Sequence, residues 1–383
     1  MFVVTNRNLE PERKGLEQFG PRVNSRGPNE LRMVEVTRAR GGWKVEIVPD
    51  KLDDDPEGHW CERAGIDDAW LQQMGFDPAQ PVYGSSYVAK RVLDRVTPGR
   101  GGRGGSGRHL LVFVHGFNND IKDVVERAAA FEKNYRVEVL AFSWPANGGG
   151  ATGVASYRSD KNDSKASVGA LDRMLAKLND MMRRFNASWV AQIIARAEAR
   201  HPDNAQAARE LAARTIDQGC PFTVNLVAHS MGNYLLKHML LSTSSMGTGL
   251  IFDNVVLASA DTNNPEHALW VERIRARRRV FVTINENDSA LRLSRMKLGE
   301  TQLARLGHYP YELFARGTVY VDFTNAPKVA DSHAYFEGLA LENARIKRFF
   351  KEAFTGLDAE RQLAYDDARN AYLLHVPPGR KRL

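Results

Sequence analysis

From His109 onward, nearly continuous apolar runs of strand length alternate with segments of helical periodicity, and this alternation restricts the chain to few architectures. HLLVFVHG is followed by DIKDVVERAAAFEKNY. RVEVLAFSWP, a long helical stretch, FTVNLVAHS, GNYLLKHMLL, DNVVLASAD, a basic helical stretch, RRVFVTINEND and GTVYVDFTN continue the series. Runs without polar alternation are strands buried on both faces, and strands separated by helices make a parallel sheet. The expected fold is α/β, with a mostly parallel central sheet, helices on both faces and a helical cap insertion. Ligands of such a sheet bind beyond the carboxyl ends of its strands, so the strand ends are where chemistry is sought.

The chain of 383 residues is divided at a Gly/Arg-rich stretch, residues 98–108, whose glycines suit a linker rather than a packed element. Residues 1–97 carry strand-like FVVTN, RMVEVTRA and WKVEIVP and helix-like DDAWLQQMG and SSYVAKRVLDRV, expected to form edge strands or a small appendage. Residues 109–355 form the expected core, with a helical insertion at about 165–218 that suits either a lid or plain packing. Residues 356–383 read as a helical and basic tail.

One strand ends in Ala228-His229-Ser230-Met231-Gly232 and gives way at once to helical spacing. A serine on such a turn needs small residues two places before and after it, and Ala228 and Gly232 supply them as a relaxed form of the G-x-S-x-G elbow. An earlier strand ends in His115-Gly116-Phe117-Asn118, where glycine permits a tight turn. The backbone amides of Phe117 and Met231 are thereby candidates for an oxyanion hole around Ser230. Serine requires a base oriented by a carboxylate. Asp288 follows one later strand and His333 the next, giving the order serine, acid, histidine of the α/β-hydrolase fold, with room for one βα unit at each step. Asp261, one strand earlier, is the alternative acid. His115, Gly116, Asn118, Trp144 and Tyr157 are candidate substrate-binding residues, although Trp144 suits packing against the sheet equally well.

No thiolate or histidine spacing of a metal site occurs, and phosphate-loop and dinucleotide patterns are missing, so no cofactor is expected. Only Cys61 and Cys220 are present, without a disulfide framework. With no signal-like start and no apolar run near the roughly 20 residues of a membrane span, a cytoplasmic location is expected. The formal charge of +7 gathers in GRGGRGGSGR, RIRARRR and GRKRL. A noncatalytic module holding nucleic acid or an anionic surface through these segments is the alternative reading, but two Arg-Gly-Gly triplets without aromatics favour a linker over a nucleic-acid tail. The expected partner is a small ester or lipid-like substrate.

LVFVHGFNN, FSWPANG, Tyr157 with Asp160, VAHSMGNYLL, VVLASAD, NDSALRLSR and SHAYF, in that order, resemble the bacterial α/β-hydrolase family catalogued as domain of unknown function nine hundred. The resemblance covers roughly residues 109–340, and FVVTNR looks like that family's opening strand. It implies serine hydrolase chemistry of esterase or lipase type, with Ser230 as nucleophile, His333 as base and the His115 to Phe117 turn as oxyanion loop. Motifs surround both Asp261 and Asp288, so the acid stays open.

Overall fold

A computed structural model describes residues 1–97, 109–146, 153–242, 250–295 and 303–375, with the backbone alone for 153–156. The expected linker at 98–108, including Arg100, Arg103 and Arg108, and the basic end GRKRL lie outside the described residues.

The N-terminal strands are β1 (Phe2–Thr5), β2 (Arg7–Leu9), β3 (Phe19–Val23), β4 (Arg32–Ala39) and β5 (Gly42–Val48). Short helices α1 (Trp60–Ala64), α2 (Asp68–Gln73) and α3 (Gly84–Val96) follow. The alternating region comprises β6 (His109–Val114), α4 (Ile121–Tyr135), β7 (Val137–Ser143), α5 (Gly153–Ala166), α6 (Val168–Arg200) and α7 (Ala205–Asp217). It continues through β8 (Val224–His229), α8 (Met231–Ser242), β9 (Phe252–Ala258), α9 (Ala268–Val271), β10 (Ala276–Ile284), α10 (Ser289–Arg295), β11 (Thr318–Asp322), α11 (Ala344–Phe354), β12 (Ala364–Asp366) and β13 (Ala371–Leu373).

Among the described residues, eleven strands form one sheet in the order β12-β13-β11-β10-β9-β8-β6-β7-β1-β4-β5, while β2 and β3 pair apart from it. The successive pairings from β11 to β1 are parallel, as is β11 with β13; β1 runs antiparallel to β4, and β12 to β13. Leu111, Phe113, Val139, Ala141, Val227, Val256 and Phe281 share a core with Phe131 of α4 and Phe350 of α11. The alternate residues Val112, Val114, Leu226 and Leu257 are also fully buried, as a sheet covered on both faces requires.

The chain divides into two compact units. One comprises residues 1–47, 109–174 and 224–383; the other comprises 48–108 and 175–223. Residues 1–97, expected as one region, therefore part company after Ile47. β1 is apolar along its length and β4 and β5 carry the period-two apolar pattern that extends a sheet, whereas the stretch beyond Val48 carries widely spaced aromatics that pack helices. In the second unit the Trp60 ring stands edge-on to Tyr87 at 5.0 Å, Phe185 meets Phe222 at 5.2 Å, and Arg184 donates to Gly75 O at 2.6 Å. The helices of the insertion, α6 and α7, belong to it from Leu175 onward.

Two expectations change. The segment after 355 was expected to be helical; its described part holds the hairpin β12–β13, closed over Asn370 in a left-handed conformation (φ 51°) with Tyr365 and Tyr372 as a cross-strand pair. The basic run before β10, expected in a helical stretch, enters the strand at Ala276, and its charges serve the fold. Arg277 donates to Ile251 O at 2.8 Å, and Arg279 bonds Glu360 at 2.6 Å. Among the described residues no helix is long and apolar enough to cross a membrane.

Candidate active site

The serine sits where β8 turns into α8. Ser230 adopts a left-handed backbone (φ 54°), a conformation that costs a non-glycine residue energy and persists only when its surroundings enforce it. Here they do so through the backbone. Ser230 N donates to Ala258 O at 3.0 Å, and Ser230 O accepts from the amides of Asn233 at 3.0 Å and Asp261 at 3.2 Å. The fully buried Asn233 adds a clamp, its amide nitrogen reaching the carbonyls of Ala228 (2.8 Å), Ser230 (3.2 Å) and Ala258 (3.2 Å).

Close approach explains the small residues. A Cβ on Gly232 would lie 2.6 Å from Val114 O and 2.7 Å from His115 O, and one on Gly116 would lie 2.7 Å from Ser230 Cβ. The end of β6 thus rests directly on the elbow. Gly232→Ala should cost about 1–3 kcal/mol or more, because its obstacles are backbone carbonyls that cannot rotate away; urea unfolding measures the loss.

The HGFN turn at the end of β6 is anchored from below. Asn118 has φ 57°, and its amide donates to the fully buried Asp160 at 3.1 Å. The Asn119 carbonyl accepts from Arg7 Nη2 at 2.7 Å, and Arg7 also donates to Ser143 Oγ, Gly20 O and Ala146 O. Burial lowers the Arg7 pKa to about 10, so the guanidinium remains charged at neutral pH. Sequence reasoning missed this residue; the strand motif FVVTNR was the available signal.

His115 and Trp144, expected on a substrate wall, are fully buried and engaged with each other. Their rings stack at 5.0 Å, Trp144 Nε1 donates to His115 O at 3.0 Å, and the Trp144 amide lies 3.1 Å from His115 Nε2. With Nε2 accepting, Nδ1 donates to Gly116 O at 2.8 Å. This pair braces the turn rather than offering polar groups to a ligand. Tyr157 also turns inward, donating its hydroxyl to Asp261 at 2.9 Å while its ring stands 5.5 Å from Phe117.

The imidazole of His333 is fixed from two sides. Its Nδ1 lies 2.7 Å from Asp288 Oδ2, and its carbonyl accepts from Ser259 Oγ at 2.8 Å and from His229 Nε2 at 3.1 Å. Asp288 is fully buried and caps α10 with its other oxygen, which accepts from Leu291 N at 2.9 Å. Asn285 secures the histidine loop by donating to Ala330 O and Ser332 O. With Nδ1 committed to a carboxylate, Nε2 is the ring nitrogen left for proton exchange.

Asp261 is engaged elsewhere. One oxygen accepts from Tyr157; the other receives Ser294 Oγ at 2.8 Å and Arg305 Nε at 3.0 Å, in an ion pair buried on both sides. The structure therefore brings Asp288, not Asp261, to His333. Among the described residues no three His, Cys, Asp or Glu side chains gather so as to hold a metal ion.

Two buried histidines make the fold sensitive to acid. Burial first, then the nearby Arg7 cation, pushes His115 down to about 3; burial and the neighbouring His333 hold His229 well below the usual imidazole range. Both are neutral when folded and protonate near 6.5 when unfolded. Because their folded pKa values are depressed, their stabilising contribution is complete above about pH 6.5 and declines as the pH falls toward the folded values. Melting temperature should drop between about pH 7 and pH 5, and His115→Gln should flatten part of that slope.

A family model described as alpha/beta hydrolase of unknown function (DUF900) matches residues 103–194 and 197–346. No curated protein and no solved structure matches the chain. With the matched stretches spanning well over half the sequence and the parallel sheet carrying its motifs at the strand ends, the chain belongs to this family of alpha/beta hydrolases.

Proposed function

We propose that the protein is a serine hydrolase that cleaves a carboxylic ester or related acyl bond through an acyl-enzyme. The observation that carries this reading is the Asp288–His333 hydrogen bond at 2.7 Å, with the His333 carbonyl bonded to His229, the residue before a serine held in a left-handed elbow turn. A buried carboxylate on Nδ1 fixes the tautomer that leaves Nε2 able to accept a proton, which a merely structural histidine does not need.

In this mechanism Ser230 Oγ attacks the acyl carbon and passes its proton to His333 Nε2. The amides of Phe117 and Met231 receive the oxyanion, and Asp288 stabilises the imidazolium. The carbon–oxygen bond to the alcohol breaks, and His333 returns the proton to the leaving oxygen. Water, deprotonated by the same nitrogen, then releases the acid and restores Ser230. The substrate is a small ester or lipid-like molecule, and no cofactor takes part.

Labelling with a fluorophosphonate, followed by mass spectrometry of the adduct, tests the proposal. Wild type should carry the adduct on Ser230, and both Ser230→Ala and His333→Ala should lose it. An adduct of equal yield on the folded Ser230→Ala variant would overturn the assignment.

A further inference from the structure

We propose that two copies of this chain join edge to edge through β5, in an antiparallel junction centred on Val45. The eleven-stranded sheet ends on one side in β12, of three residues, and on the other in β5, of seven. An outer strand of that length presents a row of backbone donors and acceptors on its open side, the template that another strand completes. Among the described residues no strand pairs with β5 beyond β4.

The side chains of β5 indicate which strand completes it. Trp43, Val45 and Ile47 lie on the face that packs against the core, while Lys44 and Glu46 lie on the other, bonded to each other at 2.9 Å with the lysine side chain 60% exposed. Lone charges on an outer strand commonly repel a second copy. Here the two charges are opposite and two residues apart, so their order is complementary to itself when the strand is reversed. Centred on Val45, an antiparallel pair sets each Lys44 opposite the other copy's Glu46, and each Trp43 opposite the other copy's Ile47. Opposite charges and aromatic with β-branched residues are favourable cross-strand neighbours.

Other registers lack this match. Sliding the pair by two residues sets Lys44 against Lys44 or Glu46 against Glu46, and sliding by one sends the apolar row to the wrong face. A cleft of about 490 Å³ lies beside Trp43, lined by Arg38, Gly42, Lys122, Glu126 and Ala129, on the face where the other copy's Ile47 would arrive. Arg38 already covers one side of the Trp43 ring at 4.9 Å. The junction joins two sheets into one continuous sheet and is independent of the hydrolase chemistry.

Sedimentation velocity across roughly a hundredfold range of concentration tests the proposal on the full chain, with circular dichroism confirming that each variant is folded. Wild type should sediment as a dimer at the upper end. Lys44→Glu and Glu46→Lys each place like charges opposite one another twice, and each should weaken association about tenfold or more. The double variant Lys44→Glu/Glu46→Lys restores complementarity with the signs exchanged and should return dimerisation to near the wild-type level. A wild type that stays monomeric throughout, single variants that associate as wild type does, or a double variant as weak as either single one would each overturn the proposal.

Discussion

Ser230→Ala should lower ester turnover by roughly 10³- to 10⁶-fold while leaving the melting temperature close to that of wild type. The loss is large because the nucleophile and its base act as a unit, and only binding and oxyanion stabilisation remain after the hydroxyl is gone. The fold is expected to tolerate the change, since the elbow is held by Asn233 and by the backbone of Ala258 and Asp261, none of which bonds the serine hydroxyl in the contacts described above. Parallel measurement of turnover on a panel of short-chain esters and of thermal unfolding separates chemistry from folding. Retention of more than about a tenth of wild-type turnover by a pure, folded variant would remove Ser230 from the mechanism.

The second large effect is expected at the acid, and it distinguishes two carboxylates that are both buried. Asp288→Asn keeps an oxygen able to cap α10 but takes the charge from His333 Nδ1, so turnover should fall by about 10⁴-fold with modest loss of stability. Asp261→Asn strips the charge from a carboxylate paired with the buried Arg305. An uncompensated buried cation costs about 3–5 kcal/mol, so the main loss there should be in stability. Turnover and denaturant midpoint measured on both variants decide the matter. Collapse of turnover in Asp261→Asn at unchanged stability, with Asp288→Asn still active, would reverse the roles of the two residues.

The parts of the structure readable in the sequence were those governed by local periodicity. Strands such as LLVFV show themselves because both faces are buried, and the elbow shows itself because Gly232 leaves no room for a Cβ against two carbonyls. Chain order made Asp288 the first choice beside His333, since both follow successive strands of a parallel sheet, but it left Asp261 open until the hydrogen bond was seen. What was hidden depends on partners distant in the chain. Arg7 acquires its role only where β1 pairs with β7, bringing it to Ser143 and Asn119. The mutual burial of His115 and Trp144 is likewise set by the pairing of β6 with β7, and nothing in the sequence next to either residue marks them as braces rather than walls. The hairpin β12–β13 is too short for its alternation to compete with the helical spacing of α11 before it.

The position of β1 between β7 and β4 also bears on how the protein is made. Thr5 donates to the carbonyl of Ser143, 138 positions later. Until β7 has been translated, β1 has no parallel neighbour, and Phe2, Val3 and Val4, all buried in the folded chain, have only β4 beside them. Closing so long a span is slow, and apolar strand edges left waiting are the segments that associate wrongly. A nascent chain stalled shortly before Val137 should therefore depend on chaperones more than one released past Ser143, because β1 settles only once β7 has been made.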